Sequence, residues 1–412
     1  MSIKLLHFAD VHIGMENYGR VDSRTGISSR VMDFLRRLNE IIAFAEENDA
    51  DLAIFAGDAF KTRSPNPTFQ REFARRIRRL ADQCPVVLLV GNHDIPTMTG
   101  KASTVEIFET LGVDNVYVGS QPRVFWIETK AGPVQVGTMP YPVRQRLLAD
   151  INTRGMNLNT LDELLREQVG VIINDLAQQV QQYPDIPAIL TGHFTVQGAK
   201  LSSERGVMLG RDVAVLTSTV ADPAWDYVAL GHIHYHQDMN AAAYPPVVYS
   251  GSIERIDFGE EKDPKGFCWV EIERGATNYE FIEVAARPFV TIRADVRGHT
   301  DPMSEILNQI RRYDVRDSVV RVIIKATPEV EPKLTDRDIT NALEGCAYIA
   351  AIQRDIEHPV RARLGVENVE GLSAVELLDM YLRKNDLDDE RIQVLTEYAE
   401  DLIYNENLNG RK

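Results

Sequence analysis

Residues 3–12 read IKLLHFADVH, an apolar run that stops abruptly at Asp10 and His12. Four more apolar runs stop in the same way, each at a polar residue. They are ADLAIFA before Gly57-Asp58, VVLLV before GNHD at 91–94, AILT before Gly192-His193, and YVAL before GHIH at 231–234. Such runs predict strands. Because ligands bind beyond the carboxyl ends of strands in an open α/β sheet, the five runs predict one shared polar site.

The rest of the pattern up to about residue 285 alternates strands with helices, which is typical of an α/β domain. Apolar residues at 31, 34, 35, 38, 41, 42 and 45 predict one face of a helix, and Ser28 or Ser29 can cap its start. A second helix is expected over about 68–81. Further strands are predicted at VQVGTM (134–139), VVYSG (247–251) and NYEFIEVAA (278–286).

Two more units are predicted around and beyond Arg287-Pro288, since proline cannot continue a strand ladder. Residues 286–364 follow the order strand, helix, strand, helix, strand, which predicts a compact α+β domain. Residues 365–412 begin with a polar stretch and then become helical, with Ser373 and Glu376 in a capping-box pattern. The predicted domains are therefore 1–285, 286–364 and 365–412.

The composition restricts the class of protein. The 412-residue chain carries a net charge of −16, which taken alone argues against binding DNA, although carboxylates that hold cations would account for part of it. Its three cysteines are widely spaced without a CxxC pair, which argues against a disulfide framework and a zinc cluster. The sequence has no apolar run approaching the ~20 residues of a membrane helix. Its first residues lack signal-peptide features, so we expect a cytoplasmic location without membrane contact.

Seven residues at the strand ends have the chemistry of cation ligands: Asp10, His12, Asp58, Asn92, His193, His232 and His234. Carboxylate, carboxamide and imidazole groups suit a pair of hard or borderline cations, and mixed N and O donors favour manganese or iron over magnesium. Two bridged cations can clamp the attacking and leaving oxygens of a phosphoryl displacement, and Asp58 is the natural bridge. Each residue alone is more often a turn, cap or loop residue, so the metal site is predicted by their conjunction.

This motif set resembles the calcineurin-like metallophosphoesterase superfamily over about residues 3–260. The resemblance implies a layered sandwich with two central mixed sheets flanked by helices. It also implies two cation sites that share Asp58. One site adds Asp10, His12 and His234, and the other adds Asn92, His193 and His232. His93 would be catalytic, contacting the scissile phosphate or protonating the leaving oxygen, with Asp94 orienting its ring.

A narrower resemblance comes from YSGSIERIDFGEEKDPKGF (249–267), HFADVHIG (7–14) and GDAFKTRSPNP (57–67). These segments resemble SbcD-type nuclease subunits of SbcCD complexes and their archaeal and eukaryotic relatives in double-strand-break repair. The resemblance implies a manganese-dependent 3′→5′ exonuclease on duplex ends and an endonuclease on single strands and hairpins. It further implies a homodimer at the nucleoid, a DNA-binding capping domain at 286–364, and a tail at 365–412 that docks on an SbcC-type coiled-coil ATPase.

Two groups of residues are expected to contact partners. Lys61 stands where the archaeal and eukaryotic relatives have a histidine, and with Arg63 it can offer positive charge to DNA. Lysine cannot reproduce imidazole acid/base chemistry near neutral pH. In the tail, an apolar stripe can pack on this chain or, as we favour, dock on the ATPase. The stripe comprises Leu377, Leu378, Tyr381, Leu382, Ile392, Leu395 and Leu402.

Three functions compete at this point. The first is the DNA nuclease just described. The second is a phosphodiesterase or phosphatase for nucleotides or other small substrates, which has little use for the about 125 residues of the added domain and tail. The third is a non-catalytic DNA-end-binding regulator of the ATPase. His93 and all seven predicted ligands are present, so nothing in the sequence favours the non-catalytic alternative.

Overall fold

A computed structural model describes residues 2–96, 101–149, 151, 153–202, 213–241, 243–357, 373–384 and 387–409, without the side chains of 158, 384 and 401–409. Its strands are β1 Ile3–Phe8, β2 Leu52–Phe55, β3 Val86–Leu89, β4 Val116–Gly119, β5 Arg123–Thr129, β6 Gly132–Met139, β7 Ala188–His193, β8 Thr195–Val196, β9 Ala214–Val215, β10 Tyr227–Gly231, β11 Gln237–Asp238, β12 Val247–Tyr249, β13 Gly266–Glu273, β14 Ala276–Glu283, β15 Phe289–Asp295, β16 Val319–Ala326 and β17 Tyr348–Ile356. Its α-helices are Ser29–Glu47, Pro67–Ala81, Ile107–Thr110, Arg144–Leu147, Leu158–Val180, Thr217–Val220, Pro302–Ile310, Asp336–Ala342, Ala374–Lys384 and Asp389–Asn409.

Two six-stranded mixed sheets carry the predicted site. The first has the strand order β14-β13-β1-β2-β3-β4, and the second has the order β11-β12-β10-β7-β6-β5. Strands β1 to β4 run parallel, as do β6, β7, β10 and β12, whereas β5, β11, β13 and β14 pair antiparallel with their neighbours. This arrangement confirms the predicted layered α/β fold with two central mixed sheets.

Alternation along β1 explains the layers. Leu6 and Phe8 belong to a core that includes apolar residues of the helices Ser29–Glu47 and Pro67–Ala81. Leu5 and Ala9, on the opposite face of the strand, belong to a core that contains residues of both sheets. Successive side chains of a strand point to opposite faces, so one apolar run can serve two cores. A third core joins the second sheet to the helix Leu158–Val180.

His7 lies in β1, and its side chain packs inside the fold. Its side chain is fully buried; Nε2 donates to the Leu230 carbonyl at 3.2 Å, and Nδ1 lies 3.1 Å from the Tyr227 hydroxyl. Burial lowers the pKa of His7 to about 3, so the ring is neutral near neutral pH. His7 is therefore a polar connection between β1 and β10.

The first helix begins where the sequence predicted. The Ser28 side chain accepts a hydrogen bond from the Arg30 amide, which satisfies one of the free N–H groups of the first turn. The seven apolar positions predicted for this helix are all buried, from Val31 to Ala45. The second helix starts at Pro67 behind the Asn66 cap and ends at Ala81, within one residue of the prediction.

The chain divides into two compact units, one of residues 1–292, 310–322 and 340–352, the other of residues 293–309, 323–339 and 353–412. A separate three-stranded sheet has the order β15-β16-β17, and the elements from β15 to β17 alternate strand and helix as predicted. The domain boundaries at 285/286 and 364/365 remain predictions, and the second lies outside the described residues.

Across the described parts of the chain, none of the helices combines the length and apolar character that crossing a membrane requires.

Candidate metal centre

The seven predicted ligands meet at the carboxyl ends of five strands. The side-chain oxygen of Asn92 lies 3.0 Å from His193 Nε2 and 3.0 Å from His232 Nδ1. On the other side, His12 Nε2 and His234 Nε2 are 3.1 Å apart. Two buried imidazole nitrogens this close need a proton or a cation between them, because their lone pairs otherwise repel.

Asp58 lies between these two groups. Its Oδ2 is 3.4 Å from His193 Nε2 and 3.7 Å from His12 Nε2. Three groups of side chains bring one donor atom each to within 4.8 Å of the others: Asp10, His12 and His234; His12, Asp58 and His93; and Asp10, Asp58 and His193. The Asp58 carboxylate thus faces one histidine of each predicted ligand set, and its bridging role remains a prediction.

The backbone at the site is held in an uncommon conformation. Asp10, His12, Asp58 and His232 have φ angles of 52°, 43°, 61° and 93°, a region that non-glycine residues rarely occupy. Hydrogen bonds between the first two strand ends stabilise it, since the Asp10 amide donates to Gly57 O at 3.0 Å and the His12 amide to Asp58 O at 3.1 Å. Such strain persists only where the surroundings determine it, and it concentrates at functional sites.

Two glycines allow the strand ends to approach. Gly57 has φ +102°, and a Cβ there would overlap the His193 ring. A Cβ on Gly91 would overlap the carboxylate and the amide of Asp58. The Gly-Asp and Gly-Asn pairs of the sequence are therefore spacing requirements of the site.

His93 is fixed at its backbone and at its ring. Its amide donates to Asp58 Oδ1 at 2.8 Å, and Nδ1 donates to the Lys61 carbonyl at 2.8 Å. The prediction that Asp94 orients this ring needs correction. The Asp94 carboxylate instead accepts hydrogen bonds from the amides of Gly91, Asp58 and Ala59, between 3.0 and 3.3 Å. Asp94 thus fixes two loops, because three backbone donors converge on its oxygens.

The ionisable side chains of the site shift one another's pKa values. Burial opposes protonation of His193, yet Asp58 at 3.4 Å and the nearby Asp10 raise the pKa of His193 to about 9. Burial likewise opposes ionisation of Asp58, but His193, His93 and His12 hold the pKa of that carboxyl well below its usual range. Cations bound among these groups would take the place of the protons.

Several contacts around the site were not predicted. The Tyr141 ring lies against His232 at a centroid distance of 5.7 Å. Glu260 Oε1 lies 2.8 Å from His234 Nδ1, although the two residues are 26 positions apart. The carbonyl of Lys61 was also missed, since a backbone acceptor leaves no signal in the sequence. The segment that contains Glu260 did stand out, but only through the family resemblance.

The predicted DNA contacts lie in the loop after β2. Lys61 is half-buried and Arg63 is exposed. The arginines of the following helix form ion pairs with acids: Arg71, Arg75 and Arg76 with Glu72, Arg78 with Asp82, and Arg79 with Glu46. Five arginines thus share three acids, so this face is partly neutralised and keeps an excess of positive charge.

The tail residues divide by exposure. Tyr381 and Leu395 are 52% and 39% exposed, and Leu377 and Leu378 are half-buried. Leu382 and Ile392 are 8% and 2% exposed, so packing within this chain covers these two members of the stripe, and docking of the stripe on the ATPase remains a prediction. The side chain of Leu402 lies outside the described residues.

Comparison with known proteins places this geometry in a family. A sequence model of the calcineurin-like phosphoesterases matches residues 3–236, which contain all seven predicted ligands. The D component of the SbcCD nuclease of Bacillus subtilis is 28% identical over 302 residues, covering 71% of this chain and 72% of that protein. The Escherichia coli K12 protein of the same name is 26% identical over 411 residues, covering 95% and 96%.

An archaeal relative gives a similar result. "DNA double-strand break repair protein Mre11" of Haloferax volcanii is 26% identical over 361 residues, covering 86% of this chain and 68% of that protein. The family match spans more than half of the chain and all five strand ends that form the site. The chain therefore belongs to the calcineurin-like phosphoesterase family.

Proposed function

We propose that this chain is an SbcD-type DNA nuclease that cleaves phosphodiester bonds with two divalent cations and acts in double-strand break repair. The observation that carries the proposal is the convergence of buried carboxylate and imidazole donors to within 4.8 Å of one another around Asp58. The relatives support the substrate, since their names describe components of a nuclease and a DNA double-strand break repair protein. The alignment with the Escherichia coli protein extends over 95% of this chain.

The donor set fits two divalent cations. Asp10, Asp58 and Asn92 offer oxygen, and the four predicted histidine ligands offer nitrogen, so we infer manganese as the metal. When bound, such a pair supplies a hydroxide near neutral pH and stabilises the attacking and leaving oxygens. His193 is oriented to bind a cation through Nε2. Its Nδ1 donates to the Ala56 carbonyl at 2.7 Å, which leaves Nε2 facing Asn92 and Asp58.

His93 is the proposed proton donor to the leaving oxygen. Its Nδ1 proton is committed to the Lys61 carbonyl, so the proton to be transferred is on Nε2. The hydrogen bond from its amide to Asp58 fixes the start of the side chain relative to the cation-binding groups. Asp94 supports both residues by holding the amides of Gly91, Asp58 and Ala59. Holding the reacting groups in a fixed geometry in this way raises the rate of cleavage.

We infer 3′→5′ exonuclease activity on duplex ends and endonuclease activity on single strands and hairpins. Lys61 and Arg63 would supply positive charge to the DNA backbone beside the site, which makes binding fall as salt rises. We also infer that residues 286–364 form a capping domain that binds DNA. The runner-up is a phosphodiesterase for small substrates, which has no need of these added residues.

The proposed partners are DNA, an SbcC-type ATPase and a second copy of this chain. The tail segment 365–412 contains 5 basic and 12 acidic side chains, a net charge of −7 that suits a basic docking surface. Its exposed Tyr381 and Leu395 are the proposed apolar contacts. Action at the nucleoid, in the cytoplasm, follows from the same proposal.

An assay on the purified full-length chain tests this function. The substrates are an end-labelled linear duplex, an end-labelled hairpin and bis-p-nitrophenyl phosphate, each with manganese or magnesium. We expect manganese-dependent cleavage of both DNA substrates as well as the small diester. Cleavage of the small diester alone would support the small-substrate alternative, and cation binding without any cleavage would support the non-catalytic regulator.

A further inference from the structure

A buried acid and base lie beside the metal centre without belonging to the predicted ligand sets. Glu260 and Lys265 are 0% and 2% exposed, and their charged atoms are 2.8 Å apart. Burying such a pair has a large desolvation cost, and apolar residues of similar volume often stabilise a fold equally well. Stability alone is therefore a weak explanation for this pair.

The contacts of the pair converge on His234. Glu260 Oε1 accepts a hydrogen bond from His234 Nδ1 at 2.8 Å. The other carboxylate oxygen accepts from Lys265 Nζ at 2.8 Å and from the Ile256 amide at 3.0 Å. Both oxygens of Glu260 thus have defined partners, which fixes the plane of the carboxylate and with it the imidazole.

The backbone of His234 is held by the same segment. Its carbonyl accepts from Lys265 Nζ at 3.1 Å and from the Ser252 amide at 3.2 Å. Lys265 Nζ also donates to the Ser252 hydroxyl at 2.8 Å. Gly251 lets this segment pass close by, because a Cβ there would lie 2.9 Å from the His234 carbonyl oxygen. His234 is therefore fixed at both its main chain and its ring.

The tautomer follows from these contacts. With the Nδ1 proton donated to Glu260, the lone pair of His234 is on Nε2, which lies 3.1 Å from His12 Nε2 and in one group with Asp10. A carboxylate behind a metal-binding imidazole fixes its tautomer and raises its basicity. His193 uses the Ala56 carbonyl for the same purpose, so the carboxylate distinguishes the His234 side of the centre.

We propose that Glu260, held by Lys265 and Ser252, is a positioning residue that orients His234 for one of the two cations. The proposal rests on the proposed function, since it takes His234 as a cation ligand. It assigns a physical role to the segment Ser252–Lys265, in which none of the predicted site residues lies. Removing the pair should weaken binding of the cation at the His234 side and leave binding of the other cation unchanged.

The test is a manganese titration of the full chain carrying Glu260→Gln or Lys265→Met, followed by calorimetry and by the electron paramagnetic resonance of free manganese. We expect one of the two cations to bind about 10–100-fold more weakly, the range typical of lost outer partners of metal ligands. Cleavage should recover towards the wild-type kcat at saturating manganese, because the reacting groups are unchanged. Lys265→Met provides a second variant should Glu260→Gln fold poorly.

Asp226→Asn is the matched control. Asp226 is fully buried and pairs with Arg274 at 2.9 Å, but it precedes β10 whereas the histidines follow that strand. We expect it to lower the unfolding midpoint without changing manganese affinity. Wild-type manganese affinities in the Glu260 and Lys265 variants, or an equal loss in Asp226→Asn, would overturn the positioning role. A wild-type chain that binds two manganese ions but cleaves no DNA would overturn the nuclease proposal alone, because the titration still decides the role of Glu260.

Discussion

The carboxylate of Asp58 accepts a hydrogen bond of 2.8 Å from the backbone amide of His93. The proposed bridge between the cations and the proposed proton donor are therefore connected directly, through main chain rather than through the imidazole. A change of the His93 side chain leaves this amide in place, whereas a change at Asp58 affects both residues. The first two predictions separate these roles.

His93→Ala should reduce phosphodiester cleavage by about 10²–10⁴, the usual contribution of a general acid, while two manganese ions remain bound. The reason is that the amide contact with Asp58 survives and only the ring is lost. Cleavage rate and metal content are measured on the same preparation, with the exposed His299→Ala as control. Loss of manganese together with activity would mean that His93 is itself a ligand.

Asp58→Asn should bind fewer than two manganese ions and lose cleavage at least as severely. An amide in place of the carboxylate removes the negative charge that faces His193 at 3.4 Å and His12 at 3.7 Å. Asp51→Asn is the control, since Asp51 is a buried carboxylate at the opposite end of β2. Metal analysis that finds two tightly bound ions in Asp58→Asn would contradict the bridging assignment.

Gly91→Ala should destabilise the fold by about 1–3 kcal/mol, as over-packing commonly does, and weaken manganese binding. The added methyl group overlaps the Asp58 carboxylate and amide, so the bridge has to move. Gly170→Ala, within the helix Leu158–Val180, meets only a Thr219 methyl group at 3.7 Å and should stabilise by about 0.5–1 kcal/mol. Denaturant unfolding and manganese titration check both variants. Wild-type manganese affinity in Gly91→Ala would show that the site tolerates the shift.

His7 should make the metal-free protein less stable in mild acid. Its pKa is about 3 when folded and 6.5 in the reference state, so between these values the unfolded chain binds the extra proton. The free energy of unfolding should therefore fall as pH decreases from 6.5 towards 3. At pH 5.5 the loss from His7 is about 1.4 kcal/mol. His7→Gln should lack this part of the pH dependence in urea unfolding at pH 7.5 and 5.5. An unchanged slope would show that His7 is not neutral in the fold.

Deletion of residues 372–412 should abolish co-purification with the cognate ATPase without changing manganese-dependent cleavage or the thermal midpoint. A sharper variant is Tyr381→Ser with Leu395→Ser, which removes two exposed apolar side chains and leaves the buried Leu382 and Ile392 intact. Leu111→Ser, at a residue 70% exposed elsewhere in the chain, is the control. Retained ATPase binding, or unfolding after the deletion, would show that the tail serves its own chain.

The sequence predicted the strands that carry the site because each ends in a local signal. Glycine next to Asp58 or Asn92 marks a strand end within a few residues, and Ser28 marks the start of a helix. The helix Leu158–Val180 was not predicted, since its stretch VGVII combines glycine with β-branched residues that favour strands. The contact of Glu260 with His234 also escaped, because nothing periodic relates two loops 26 residues apart.

The left-handed backbone of Asp10, His12, Asp58 and His232 has a consequence for engineering. Each such residue costs about 1–3 kcal/mol relative to a relaxed conformation, and glycine or asparagine would occupy the same φ with less strain. A redesign guided by thermostability alone would therefore replace these four residues early. Thermostabilised variants of this protein should keep the four positions fixed from the outset, since the substitutions that relieve the most strain would remove proposed cation ligands.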